Sequence, residues 1–289
     1  MSWPWPSEFR ILEKDELAPG IKRIVVYAPL IAQKAKVGQF VIIRVDEYGE
    51  RFPLTLVDWS PEEGTITLIF QEVGVSTKKL GALKVGDRIL DMVGPLGNPS
   101  KIRRYGEAAV IGGGVGTALM YPQVLALKEA GNKVTSIIGA RTSSLLLLVN
   151  EISKVSDELY ISTDDGSMGV RGFTSDVLKA LLEEGRRFDY VFAVGPVLMM
   201  KAVADVTRPY KIRTFVSLNP IMIDGTGMCG GCRVRVGGET RFACVDGPEF
   251  DAHQVDFTEL LRRLRTYRKE EEEAARIFDE KMKEEAHEA

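Results

Sequence analysis

The residues best equipped for chemistry are Asp224, Cys229, Cys232 and Cys244, a set that includes every cysteine in the 289-residue chain. Four intervening residues, then two, then a longer gap is the spacing of plant-type iron–sulfur ligands, here with an aspartate in the first ligand place. Thiolates are soft donors suited to iron, and a carboxylate oxygen, being harder, alters the reduction potential of what it binds. Glycines between Gly225 and Gly231, and again at Gly237 and Gly238, let the backbone wrap a compact inorganic core. The spacing therefore predicts a [2Fe–2S] cluster. The same donors also suit structural zinc, and Asp224 taken alone also suits a turn cap.

Phosphate recognition is the second theme. Gly112–Thr117, Gly-Gly-Gly-Val-Gly-Thr, stands where an apolar strand pattern becomes a helical one. Glycines there let a pyrophosphate approach the backbone at a helix N-terminus. Thr117 takes the place of the last glycine of the strict dinucleotide fingerprint, so a plain tight turn stays open as a reading. Other strand ends carry Arg141, the run Asp164-Asp165-Gly166, and Gly195-Pro196. Asp165 suits a ribose hydroxyl or a turn cap. Arg141 leans towards a 2′-phosphate and so towards NADP. Nearer the N-terminus, Arg51 heads the run Arg-Phe-Pro-Leu-Thr, and Gly74, Ser76 and Thr77 lie in a short loop able to wrap a pyrophosphate. In isolation both are also ordinary strand and loop segments.

Residues so far apart need a scaffold. The first hundred alternate β-rich runs with turns, predicting strands at Ile21–Ala28, Gln39–Val45, Phe52–Trp59, Thr65–Glu72 and Arg88–Val93 and a small antiparallel barrel or sandwich. From Gly106 onward, strand and helix patterns alternate, which predicts a doubly wound parallel sheet with its ligands beyond the carboxyl ends of the strands. A Gly- and Cys-rich stretch follows. A charged helical tail closes the chain, with Leu260, Leu264, Tyr267, Ala274, Phe278 and Met282 roughly on one face. The expected organisation is a β-barrel over residues 1–100, an α/β nucleotide domain over 101–220, a cluster module over 221–250 and the tail over 251–289.

A formal net charge of -3 gives no support for nucleic-acid binding. The N-terminus lacks the basic start and apolar run of a secretory signal, and the longest apolar run, Leu145–Val149, is far too short to span a membrane. Three clustered cysteines fit a disulfide framework poorly. The expected setting is the cytoplasm.

Taken together, R-x-P-L-T, the GGGVG turn with Pro122, TDDGSMG, VGP and the terminal Asp/Cys module resemble the ferredoxin–NADP reductase superfamily over about residues 8–250. Within it the chain is similar to the electron-transfer subunits of class-B dihydroorotate dehydrogenase. More narrowly it resembles the small subunits of NADH-dependent ferredoxin:NADP oxidoreductase, also described as sulfide dehydrogenase subunits. The most specific element is Ile221–Val234, because the dihydroorotate dehydrogenase subunits generally place a cysteine where Asp224 stands. The resemblance implies FAD on Arg51, Pro53, Leu54 and Thr55, with Arg51 at the pyrophosphate and Thr55 near the flavin ring, completed by Gln71, Gly74, Ser76 and Thr77. It implies NAD(H) on Gly113, Gly114, Asp165 and Gly195, and the cluster on Asp224, Cys229, Cys232 and Cys244. The superfamily often has a stacking tyrosine at Leu54 and a cysteine at Val194, so neither role carries over.

The implied function is that of an electron-transfer flavoprotein subunit, an oxidoreductase acting on NAD(P)H. A nicotinamide gives two electrons as hydride and a cluster accepts one, so the order NADH, FAD, [2Fe–2S], partner follows from the cofactors. Hydride transfer to flavin needs no general base, and no catalytic residue is expected; His253 and His287 both lie outside the core domains. By the resemblance, a larger subunit with a second FAD and [4Fe–4S] clusters would complete a heterodimer. That subunit would hold the bifurcating flavin and handle ferredoxin and NADP. The alternatives are the electron-transfer subunit of an NAD-dependent dihydroorotate dehydrogenase, or a self-contained FAD/NAD(P) reductase with structural zinc. The tail's apolar stripe would dock the partner or pack back on its own core.

Overall fold

A computed structural model describes residues 9–288, with side chains placed through residue 284. The segment before Phe9 and the side chain of His287 lie outside the described residues. Strands β1 (Ile11–Ala18), β2 (Ile21–Tyr27), β3 (Phe40–Arg44), β4 (Arg51–Ser60), β5 (Thr65–Gln71) and β6 (Asp91–Leu96) form an antiparallel sheet in the order β1-β2-β5-β4-β3-β6. Helices α1 (Pro29–Ala32) and α2 (Val75–Ala82) occupy two of its connections. The sheet closes because Ile11 N–H donates to the Asp87 carbonyl at 2.9 Å and Ile89 N–H to that of Phe9 at 3.0 Å. Two details differ from expectation: β1 has no counterpart among the predicted strands, and the last strand begins at Asp91 rather than Arg88.

β3 is apolar on both faces because each face meets a different core. Val41 and Ile43 fill the barrel with Ile24, Leu68 and Phe70. Phe40 and Ile42 point the other way, into a core that also holds Cys232 and Cys244.

The second sheet contains β7 (Glu107–Gly113), β8 (Lys133–Ala140), β9 (Glu158–Thr163), β10 (Val170–Arg171), β11 (Tyr190–Val194) and β12 (Arg213–Ser217), all parallel. Helices α3 (Gly116–Glu129), α4 (Val149–Val155), α5 (Thr174–Glu183) and α6 (Val197–Thr207) fall between successive strands. Along β7, Ala108 and Val110 join one core while Ala109 and Ile111 join the other, as two-residue alternation requires of a strand covered on both sides. Ala118 of α3 and Leu147 are buried together with Val57 and Ile69, joining this sheet to the barrel.

After β12 come β13 (Arg233–Val236), β14 (Glu239–Phe242), α7 (Ala243–Asp246) and β15 (Glu249–Asp251), the last of which returns antiparallel to β12. The tail is two helices rather than one. In α8 (Phe257–Leu264), Phe257 and Leu260 are buried in the core that holds the cysteines. α9 (Arg268–Glu288) crosses to α2, where Lys78 Nζ meets Asp279 Oδ1 and Oδ2 at 2.5 and 2.7 Å. The expected stripe is therefore divided, with Leu260 buried and Tyr267 and Met282 exposed, and the tail lies on its own barrel. Among the described residues no helix is long and apolar enough to cross a membrane.

Candidate functional site

β4 opens on Arg51, whose Nη2 donates to Asp91 Oδ2 at 2.8 Å, holding the half-exposed guanidinium at the barrel rim. Leu54 stands opposite Val41, while Pro53 and Thr55 stand opposite Ile42 and Phe40. Gln71 ends β5 and Gly74 caps α2. The Thr77 hydroxyl accepts from Val73 N–H at 3.0 Å and Gly74 N–H at 3.1 Å and donates to the Gly74 carbonyl at 3.0 Å. That knot fixes the start of a helix whose first-turn N–H groups are free to meet an anion. The Ser76 hydroxyl reaches Glu50 Oε2 at 3.5 Å and Lys79 Nζ reaches Asp46 Oδ2 at 2.8 Å, tying α2 to the loop that leads into Arg51. The barrel thus brings Arg51, Ser76 and Thr77 to one side.

The strand order β10-β9-β8-β7-β11-β12-β15 reverses its winding between β7 and β11, which opens a crevice at their carboxyl ends. Gly113 ends β7, Gly114 follows it, and Gly195 follows β11. Gly195 has φ +153, and a Cβ there would lie 2.9 Å from the Gly113 carbonyl oxygen. Gly116, not among the glycines singled out for the dinucleotide, packs tightest of those in the motif: a Cβ on it would meet the Val194 carbonyl oxygen at 2.3 Å, so α3 rests directly on β11. Its signal was already present, as the fourth glycine of the same motif. An alanine at this φ would carry backbone strain of about 1–3 kcal/mol, which makes Gly195→Ala an informative substitution. It is expected to raise the KM for NADH about tenfold at unchanged flavin content, measured by steady-state kinetics and absorbance.

Asp165 lies in the turn after β9, where Oδ1 accepts from the Ser167 N–H at 2.9 Å and hydroxyl at 2.6 Å. Those bonds hold its carboxyl at about 2, well below the usual range. It caps its own turn. Arg141 is exposed beyond β8, and its carbonyl accepts from Asp165 N–H at 3.2 Å.

The cysteine loop is packed against the barrel. Gly225 has φ +74, and a Cβ on it would lie 2.6 Å from Leu96 Cδ1 and 2.7 Å from Ile42 Cγ1. Cys232 and Cys244 are buried with their sulfurs 3.1 Å apart, and all three cysteines are free thiols. Burial, with the Cys232 thiol as its neighbour, pushes the Cys244 thiol up to about 12, so metal binding there must displace a proton. Cys229 is exposed, and its sulfur accepts from Gly231 N–H at 3.4 Å. Asp224 Oδ2 accepts from the N–H groups of Cys229 at 2.7 Å and Met228 at 3.1 Å, and Oδ1 from Thr226 at 3.0 Å. Those donors hold its carboxyl below the usual range. Among the described residues no three of these side chains converge on one point. The donor set still fits an iron–sulfur cluster, because two adjacent buried thiols, a third at the loop rim and a glycine-lined backbone supply soft ligands and close approach. Asp224→Ala is expected to lower cluster occupancy several-fold and Asp224→Cys to retain the cluster with altered electron paramagnetic resonance g-values. Identical spectra from both variants and the parent would remove Asp224 from the ligand set.

Residues 219–256 match the family model of the iron–sulfur cluster binding domain of dihydroorotate dehydrogenase B. A Thermotoga maritima protein named as a homolog of the dihydroorotate dehydrogenase B (NAD(+)) electron transfer subunit is 49% identical over 261 residues, covering 90% of this chain and 92% of its own. The electron transfer subunit of that enzyme from Shouchella clausii is 31% identical over 255 residues, covering 85% and 96%. The chain belongs to the dihydroorotate dehydrogenase B electron-transfer subunit family. A chain from the structure of the NADH-dependent reduced ferredoxin-NADP oxidoreductase, solved for insight into flavin-based electron bifurcation, superposes with a TM-score of 0.90. It is 46% identical and covers 96% of this chain and 99% of its own. The Amycolatopsis cytochrome P450 reductase, 23% identical over 71% of this chain with a TM-score of 0.59, shares the fold.

In this electron-transfer subunit the cluster loop is also held from beyond the matched domain. Arg263 of α8 donates from Nη2 to the Gly231 carbonyl, between Cys229 and Cys232, at 3.1 Å. Arg233 lies alongside, 3.3 Å from where a Cβ on Gly230 would sit. A cation beside a cluster favours its more negative, reduced form. Arg263→Gln is therefore expected to lower the cluster midpoint potential by roughly 20–60 mV, up to about a tenfold change in a one-electron equilibrium. A potentiometric titration followed by electron paramagnetic resonance measures it.

Proposed function

We propose that this chain passes electrons between NAD(H), FAD and a [2Fe–2S] cluster and on to a larger partner subunit. In this reading it is the NAD(H) arm of a bifurcating, cytoplasmic NADH-dependent ferredoxin:NADP oxidoreductase. The observation that carries the reading is the double use of β3. Phe40 and Ile42 are the cross-strand partners of Thr55 and Pro53, and the same two residues pack into the core that contains Cys232 and Cys244. One strand therefore separates the residues proposed for flavin from those proposed for the cluster.

When bound, the flavin exchanges electrons with nicotinamide in pairs and with an iron–sulfur centre singly. The protein supplies position. Arg51, Pro53, Leu54, Thr55, Gln71, Gly74, Ser76 and Thr77 would hold the FAD, and Gly113, Gly114, Asp165 and Gly195 the dinucleotide. Asp224, Cys229, Cys232 and Cys244 would hold the cluster. The packing of Ala118 and Leu147 on Val57 and Ile69 brings the glycine turn ahead of α3 to the flavin strand β4. The units would run over residues 1–100, 101–220, 221–250 and 251–289.

The partner would be a flavin/[4Fe–4S] subunit that completes a heterodimer and handles ferredoxin and NADP. An exposed loop tip, with Met228 87% accessible beside Cys229, supports a partner meeting the chain at the cluster. Aspartate at the first ligand place favours this assembly over a dihydroorotate-oxidising one.

Anaerobic addition of NADH to the purified chain tests the core of the reading. Bleaching of the flavin bands together with a reduced-cluster paramagnetic signal is the expected result. Zinc in place of iron, or an unbleached flavin, overturns it. Isolation of the native complex separates the two assemblies, since dihydroorotate-dependent NAD+ reduction would favour the dehydrogenase.

A further inference from the structure

A second concave, charged surface lies at the amino-terminal ends of β7, β11 and β12, the opposite edge of the parallel sheet from Gly113 and Gly195. Two runs of the same sequence, Lys101-Ile102-Arg103 and Lys211-Ile212-Arg213, meet there. They border adjoining cavities of about 540 and 820 Å³ that share Arg103, Tyr105 and Arg213. The Tyr105 ring stacks on Tyr190 with centroids 4.1 Å apart. The guanidinium carbons of Arg103 and Arg213 lie 4.8 and 5.9 Å from the centre of the same Tyr105 ring. Two cations are thus gathered on one aromatic residue.

Among the described residues no carboxylate lies within ion-pairing distance of Lys101, Arg103, Arg104, Lys211 or Arg213. The acids on the cavity walls are engaged elsewhere. Asp189 accepts from Glu107 N–H at 2.9 Å, Asp246 from Phe242 N–H at 2.7 Å, and Glu249 from the Ser100 hydroxyl. In a chain of net charge -3, composition does not force such a concentration of cations without ion-pair partners, and a bound anion would relieve their mutual repulsion.

We propose that this cleft binds a small molecule bearing phosphate groups, with the charge and span of a diphosphate, clamped between Arg103 and Arg213. Guanidinium forks match phosphate oxygens two at a time. The cavities fall in the volume range of small-molecule sites, about 300–1,000 Å³, and their concavity suits a small anion better than a flat acidic protein face. The site lies outside the electron path and stands whether or not that path is correct.

The test is calorimetric titration of inorganic pyrophosphate, ADP and adenosine into the FAD-loaded full chain, at low ionic strength and with NAD+ saturating the dinucleotide crevice. Pyrophosphate and ADP are expected to bind saturably and adenosine not. Equal affinities assign the diphosphate alone, and tighter ADP assigns a nucleotide as its source; both support the proposal. Arg103→Gln and Arg213→Gln should each weaken binding by about tenfold. Lys201→Gln, which removes a cation paired with Asp205 at 2.6 Å, should leave it unchanged. Retained flavin identifies folded variants. Absence of saturable pyrophosphate binding, or binding undiminished in the double arginine variant, overturns the site.

Discussion

Cys232→Ser, prepared without oxygen, is expected to keep its FAD and its NADH-driven flavin bleaching while losing acid-labile sulfide and the reduced-cluster paramagnetic signal. Cys232 is 2% exposed and Cys244 1%, their sulfurs are 3.1 Å apart, and the surrounding core is formed by Phe40, Ile42, Val234 and Phe250. Serine offers iron a harder oxygen donor in place of a soft sulfur. Without iron, its hydroxyl would be buried among apolar side chains at a cost of about 1–3 kcal/mol. Cys232→Ala avoids that second effect, so agreement between the two variants assigns the loss to the missing ligand. Iron, sulfide and flavin are measured per mole of protein. Full cluster content in either variant would refute the assignment of Cys232.

At pH 8, Glu249→Gln is expected to be more stable than the parent chain by about 3 kcal/mol, with the difference shrinking towards zero near pH 4. Glu249 sits where the barrel, the linker after it and the returning strand β15 meet. Its carboxylate accepts from the Ser100 hydroxyl, and a Cβ on Gly38 would stand 2.9 Å from Oε1. Burial pushes its carboxyl up to about 7. The folded state therefore holds the proton more tightly than the unfolded chain, where a glutamate titrates near about 4.3. Stability is full below the unfolded value and falls as the pH rises through the folded one, because an unpaired carboxylate must then be accommodated. The amide keeps the shape and removes the charge. Thermal unfolding of parent and variant at pH 8 and pH 4.5 measures the effect, and an equal difference at both pH values would mean that Glu249 acts through packing alone.

The sequence spoke most clearly where burial is complete. In β7 and β11 nearly every residue is apolar because both faces are covered, and glycines mark the turns that follow. The closeness of Cys232 and Cys244 was legible as well, since residues of one short module fold back on one another and bring their sulfurs to 3.1 Å. β1 was not. Its centre, Glu13-Lys14-Asp15-Glu16, is largely exposed, and register shifts between Ile11 and Glu13 and between Glu16 and Ala18 break the alternation that would reveal it. β15 spans only three residues, too few for any period to show. Arg263 acts on Gly231 from 32 residues away, a contact made by the packing of α8 and unmarked by any local pattern. The tail's apolar residues share one face only if the helix is continuous, but the chain turns between Leu264 and Arg268, so the early ones enter the core and the later ones belong to a second helix.

The return of β15 to the strand that the chain had just left has an architectural consequence. Ser217, at the end of β12, stands in register with Glu249, at the start of β15, so the intervening segment departs and lands at neighbouring points. Lengthening such an excursion adds only a logarithmic entropic penalty. The segment between them, which carries Cys229, Cys232 and Cys244, could therefore change in length without moving the strand ends that launch and receive it.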